Sequence, residues 1–207
     1  MEIILVLAPH TDDGEFGCGG SIDRLISEGK EIYYVAFSSA EKSVPDGMPK
    51  NILKTEVKKA TKVLGILKEN LFLLNYPVRE FLSYRQEILE DMIKFERKLK
   101  PDIVMLPSTH DTHQDHQVVS QEGFRAFKKI SIIGYEIPWN NLTFTTNMFV
   151  KLQKEHVQNK ISALKCYKSQ SNRLYATEEC IWDLARIRGI QVGTPYAEVF
   201  EVIRWII

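Results

Sequence analysis

The stretch His10-Thr11-Asp12-Asp13 places a histidine and two adjacent carboxylates within four residues, and Glu15 adds another acid two positions on. A second stretch, His110 to His116 (HDTHQDH), holds three histidines and two aspartates in seven residues, in a chain with only five histidines. Imidazole and carboxylate groups suit zinc, and a catalytic zinc site uses three protein ligands and keeps one position open for water. His10, Asp13 and His116 make such a set, and His110 or His113 could replace His116, because spacing alone does not choose among them. The glycines after the first stretch raise a competing reading as a dinucleotide loop, which needs GxGxxG directly after the first strand. Here Gly14, Gly17, Gly19 and Gly20 give GxxGxGG, and the loop ahead of them is already filled by His10, Asp12 and Asp13. These glycines are therefore read as positions where a helix packs closely on a sheet.

Both clusters need elements that bring them together. The first leaves the continuous apolar run IILVLA (3–8) and the second leaves DIVMLP (102–107), and runs of this kind belong to strands covered on both faces. EIYYVAFSS (31–39) and NLFLLNY (70–76) repeat that character. Between the runs, GCGGSIDRLISEG, NILKTEVKKATKVLGIL and residues 83–100 carry apolar positions at helical spacing, and Pro101 closes the last of them. Strands alternating with helices predict an α/β fold: a Rossmann-like, mostly parallel central sheet flanked by helices. In such a sheet, loops from the carboxyl ends of neighbouring strands meet at a switch point, where ligand sites form. After residue 130 the pattern changes, and LTFTTNMFVKL, with its polar alternation, suits an exposed or antiparallel edge. No linker or repeat interrupts the chain, which predicts a single domain over residues 1–207 with an elaborated C-terminal third.

Composition excludes several classes of partner. The 27 basic and 27 acidic side chains balance, so no electrostatic footprint for nucleic acid or an anionic membrane surface exists. No stretch approaches the roughly 20 apolar residues of a membrane span, and the run Ile3 to Ala8 is too short for a signal segment. Cys18, Cys166 and Cys180 are widely spaced and odd in number, which reads as reduced thiols in a cytoplasmic protein. The composition leaves a homo-oligomer open.

The two clusters resemble a known pair of motifs. His10-Thr11-Asp12-Asp13 is similar to the HPDD signature of the PIG-L/LmbE-like N-acetylglucosaminyl de-N-acetylases, and His113-Gln114-Asp115-His116 is similar to their HxDH motif. EFGCGGSI, LKPDIVMLP, YKSQ (167–170) and YAEVFEVI resemble further family segments, in family order, over nearly the whole chain. The resemblance implies a metal-dependent hydrolase that removes the N-acetyl group of an N-acetylglucosamine-containing small molecule. It implies that His10, Asp13 and His116 hold the metal, zinc or another divalent ion, and that Asp12 is the general base. His113 would be the electrophilic or general-acid residue, with Asp115 orienting its imidazole and favouring the charged ring; Asp115 also reads as a helix N-cap. Thr11 stands where the family usually has proline, and Gly14 where an acid commonly follows.

Physical reasoning supports the same roles: an amide resists hydrolysis because its carbonyl is a weak electrophile and neutral water a weak nucleophile, and a Lewis acid with a positioned base addresses both. Arg79 and Arg85, in YPVREFLSYRQ, could pair with a phosphate or carboxylate of the substrate, since a guanidinium fork matches such groups. Trp139, Trp182 and Trp205 are assigned to core or subunit contacts. Two other functions stay open at this point: a metal-dependent amidohydrolase acting on a non-sugar acylamide, and a non-catalytic ligand- or nucleotide-binding module on the same sheet.

Overall fold

The computed structural model describes residues 2–207. Five strands, β1 (Ile3–Ala8), β2 (Glu31–Ala36), β3 (Leu71–Leu73), β4 (Ile103–Pro107) and β5 (Ser131–Tyr135), pair in parallel. β7 (Tyr196–Arg204) lies antiparallel to β5, and β6 (Met148–Leu152) is an antiparallel edge beside it, as its polar alternation predicts. The sheet order is β3-β2-β1-β4-β5-β7-β6.

The continuous apolar runs have a direct cause. In β1, residues Ile4 to Ala8 are fully buried: Ile4, Val6 and Ala8 feed the core on one face of the sheet, and Leu5 and Leu7 feed the core on the other. A strand covered on both faces cannot alternate with polar residues. α1 (Asp13–Ser27), α2 (Ile52–Val63), α5 (Lys154–Leu164) and α6 (Glu178–Ile190) cover the first face, and α3 (Arg85–Leu99) and α4 (Gln114–Ala126) cover the second.

Two elements differ from expectation. The run 70–76 keeps ladder geometry only over Leu71–Leu73, although Leu74 and Tyr76 still donate backbone N–H bonds to Ala36 and Phe37 before Pro77 ends the segment. α1 begins at Asp13, four residues before the expected stretch GCGGSIDRLISEG, so Gly14 also lies within the helix. The close-packing reading of those glycines holds: a Cβ on Gly14 would stand 2.5 Å from Cε2 of Tyr34, and one on Gly17 would enter the ring of Tyr135. α1 thus sits on the sheet at a distance only glycine allows.

From β1 the chain winds outward through β2 and β3, and from β4 it winds the other way to β5. β1 and β4 are neighbours, with Ile4 opposite Ile103, so the switch point falls between them and the loops at their carboxyl ends share one crevice.

Candidate metal centre

The loop after β1 carries His10 and Asp12 into that crevice, and Asp13 opens α1 beside them. The loop after β4 carries Asp111 and His113, and α4 places Asp115 and His116 in its first turn. The lining of the resulting cleft, about 370 Å³, includes His10, Asp12, Asp13, His113 and His116.

Three donor atoms converge there. Oδ2 of Asp13 lies 3.1 Å from Nδ1 of His10 and 3.2 Å from Nε2 of His116. Each ring is held from behind: Nε2 of His10 meets Oδ2 of Asp115 at 2.9 Å, and Nδ1 of His116 meets Oδ2 of Asp111 at 2.7 Å. A ring that donates its far N–H to a carboxylate presents a bare lone pair on its near nitrogen, the usual arrangement behind metal-ligating histidines. With both rings neutral, two lone pairs and a carboxylate oxygen face one another, and only a cation between them relieves the repulsion. Ligand atoms around a tetrahedral zinc ion with bonds of about 2.0–2.1 Å stand about 3.3 Å apart, close to the separations found here. The residues therefore fit a zinc-sized ion.

The electrostatics of the free protein agree. Burial works against charge on His10 and His116, but Asp13, with Asp115 and Asp111 behind, outweighs it and raises the rings to about 9 and about 10. Burial alone would raise Asp13, yet His116 and His10 hold it well below the usual carboxylate range.

His113 belongs to the same cluster: one ring nitrogen each of His10, His113 and His116 lies within 4.8 Å of the others. Its ring lies 4.8 Å from that of His116 and 5.0 Å from that of His10, centroid to centroid. Its Nδ1 accepts the backbone N–H of Asp115 at 3.2 Å and so caps α4. A neutral ring whose Nδ1 accepts must carry its proton on Nε2. Burial, followed by the neighbouring His116 and His10, pushes its pKa down. Two expectations change here. Asp115 does not cap α4, since His113 does, and the Asp115 carboxylate turns to His10 rather than to the His113 ring. Asp115 bonds to His113 only through its backbone N–H; its charge and that of Asp13 still favour a charged ring, but burial and the neighbouring His116 and His10 outweigh them, and the ring is a neutral donor. His110, the other open alternative, stands outside the cluster, with Nε2 3.8 Å from Glu201.

Asp12 precedes α1 without making a side-chain capping bond and lines the cleft. Burial, then the charge of Asp13, raises its carboxyl to about 6. The loop that holds it is anchored from below, where the hydroxyls of Tyr34 and Tyr167 lie 3.0 and 2.7 Å from the Thr11 carbonyl and also contact the buried Glu15 carboxyl.

Of the two arginines expected to face substrate, Arg79 lines the cleft and Arg85 does not. Arg85 pairs with the fully buried Glu122 of α4, whose other carboxylate oxygen meets Arg125 at 2.5 Å, so the Arg85 guanidinium is engaged in offsetting a buried charge. Trp139 is a second correction, because it is part of the cleft wall: it stacks on Tyr175 at 3.8 Å and meets the edge of Phe16 at 5.2 Å. Sequence reasoning also gave no role to Asp111, whose signal was its place in the HDTHQDH run. Arg173 carried no signal, being an isolated cation in an irregular stretch.

Fold and site together define a doubly wound α/β protein with a candidate single-metal centre at its switch point. The chain belongs to the PIG-L family, whose model, PIG-L: GlcNAc-PI de-N-acetylase, matches residues 5–127. The uncharacterized deacetylase YaiS of Escherichia coli (strain K12) is 34% identical over 171 residues, covering 80% of this chain and 90% of that protein. Among solved structures, the N,N'-diacetylchitobiose deacetylase from Pyrococcus horikoshii superposes with a TM-score of 0.82 at 23% identity, covering 98% of this chain and 84% of that one. GalB, the 4-carboxy-2-hydroxymuconate hydratase from Pseudomonas putida KT2440, superposes with a TM-score of 0.81 at 18% identity, covering 100% of this chain and 98% of that one. One fold thus carries different reactions, and the activity has to be argued from the site.

Proposed function

We propose that the protein is a zinc-dependent N-deacetylase that removes the acetyl group from an N-acetylglucosamine-containing small molecule, releasing acetate and a free amine. The observation that carries this reading is the convergence of Nδ1 of His10, Oδ2 of Asp13 and Nε2 of His116 beside an Asp12 carboxyl that caps nothing and faces the cleft. His10, Asp13 and His116 hold the ion, which when bound polarises the amide carbonyl and acidifies water.

Asp12 takes a proton from the attacking water as the new C–O bond forms. His113, fixed by its helix-capping bond, donates Nε2–H to the carbonyl oxygen as negative charge builds there. The C–N bond then breaks, and the departing amine takes the proton that Asp12 accepted. A carboxyl raised to about 6 can both gain and return that proton near neutral pH. The aromatic wall of Phe16, Trp139 and Tyr175 accords with a sugar presenting its apolar ring face. Residues 1–207 act as one unit in this reading. Among the described residues no helix is long and apolar enough to cross a membrane, and the three cysteines are free thiols, which accords with a cytoplasmic enzyme.

The test pairs metal analysis with acetate release from N-acetylglucosamine derivatives. Asp12→Asn is expected to keep its zinc and lose at least about 10²-fold in turnover, the scale of a general base, whereas His10→Ala and Asp13→Ala lose the metal. Full turnover in Asp12→Asn, or stoichiometric zinc in both alanine variants, would overturn these roles. Zinc-loaded protein that releases no acetate from any sugar would point to a non-sugar acylamide.

A further inference from the structure

The cleft contains two cations that the proposed chemistry does not use. Arg24, Arg85, Arg125, Arg186 and Arg188 each have a carboxylate partner, and Arg204 donates to the Phe127 carbonyl. Arg79 and Arg173 both line the cleft, and among the described residues neither guanidinium takes part in an ion pair or hydrogen bond.

The position of Arg79 is built into the metal centre. Its φ of 68° lies in the left-handed region, which is strained for a residue with a side chain. The conformation is held by its backbone N–H, which donates at 2.6 Å to Oδ2 of Asp115, the same oxygen that meets His10 at 2.9 Å. One carboxylate oxygen thus ties a ligand histidine to the root of an unpaired arginine, and strained backbone of this kind recurs at sites that grip a ligand. Arg173 comes from a different segment, between the short turns Lys168–Gln170 and Leu174–Ala176, outside the residues that the family model matches. Tyr175, two residues on, stacks against Trp139 and fixes that segment to the cleft wall.

We propose that the substrate carries an anionic substituent, a carboxylate or phosphate, that Arg79 and Arg173 bind while the N-acetyl group lies at the metal centre. A guanidinium fork matches the planar or tetrahedral oxygens of such groups, and an unpaired one needs no partner displaced. This inference rests on the deacetylase reading for the identity of the reacting group, but not for the anion site itself.

Three substrates separate the possibilities for zinc-loaded protein: the neutral methyl glycoside of N-acetylglucosamine, N-acetylglucosamine 6-phosphate, and N-acetylmuramic acid as the carboxylate arm. At least one anionic substrate is expected to exceed the neutral one about tenfold in kcat/KM, chiefly through KM. Arg79→Ala and Arg173→Ala should each cut that anionic-to-neutral ratio at least fivefold. Arg97→Ala, on the exposed side of α3, should leave the ratio unchanged. Equal rates on neutral and anionic substrates, or arginine variants that slow both alike, would overturn the proposal. Calorimetry of N-acetylglucosamine 6-phosphate with the zinc-loaded Asp12→Asn protein supplies a readout independent of turnover. Affinity that falls at least fivefold when both arginines are replaced would uphold the anion site even if no acetate is ever released, and the deacetylase reading alone would then fail. Affinity indifferent to both arginines would remove the anion site and leave the deacetylase reading untouched.

Discussion

Asp115→Asn isolates the carboxylate that holds His10. The side chain is fully buried; Oδ2 accepts from His10 Nε2 at 2.9 Å and from the Arg79 N–H at 2.6 Å, and Oδ1 accepts from the Phe81 N–H at 3.3 Å. Asparagine keeps the shape but has one acceptor oxygen. If that oxygen serves His10 and Arg79, the new amide NH₂ faces the Phe81 N–H, and a buried donor left unsatisfied costs about 1–3 kcal/mol. In a chain of this size each kcal/mol lowers the melting temperature by about 2–4 °C, so a loss of about 2–12 °C is expected. The negative charge behind His10 is also gone, and changes to such supporting groups typically weaken metal affinity about 10–100-fold. The helix cap survives, because His113 accepts from the backbone N–H of residue 115, which the substitution leaves in place. Zinc affinity, measured by competition with a chelator, and thermal unfolding are the assays. Affinity within threefold of the parent, together with an altered pH profile of turnover, would refute the assignment of Asp115 to His10 and return it to His113.

The other predictions address the remaining parts of the centre. Asp111→Asn should weaken zinc by a comparable factor through His116, whose Nδ1 it holds at 2.7 Å; the same chelator competition reads it. His113→Ala should retain near-stoichiometric zinc in elemental analysis while turnover falls by about 10²-fold or more, the scale of one oxyanion donor; metal loss would make His113 a ligand. Gly14→Ala places a methyl 2.5 Å from the Tyr34 ring where ordinary contact begins at 3.4 Å, a shortfall of 0.9 Å that must move the ring or the start of α1. Overpacking of this kind costs about 1–3 kcal/mol, and thermal unfolding should show it, with turnover reduced because Asp12 and Asp13 flank the shifted backbone. Zinc binding should tighten as pH rises from 6 to 8. His10 and His116, at about 9 and about 10 in the metal-free centre, hold protons that must leave before their nitrogens can ligate; calorimetry in buffers of different ionisation enthalpy would count them, with about two expected at pH 7.

What could be read from the sequence divides along the range of the interactions involved. The strands leading to the site were legible because burial on both faces forces an unbroken apolar run, as in Ile3–Ala8 and Ile103–Pro107. That the stretches His10–Asp13 and His110–His116 meet was legible because two dense clusters follow two such strands; the choice of His116 over His110 or His113 came from the resemblance to the family motifs. The partners of these residues were not. Asp115 sits two positions from His113 but bonds to His10 across 105 residues of chain, and a helix start points its side chain back toward β1 rather than toward the preceding loop. Arg85 was a plausible substrate contact until α4 supplied Glu122 from 37 residues away. Trp139 and Arg173 lie in irregular segments without period, so only the folded chain brings them beside His10 and Asp12. The ligand set is therefore local and motif-like, whereas the groups that tune it and those proposed to select the substrate are assembled by tertiary structure. If the proposed anion site is right, replacing Arg173 should change which substrate is preferred and leave zinc binding unchanged, because the residue lines the cleft without belonging to the cluster of His10, Asp13 and His116.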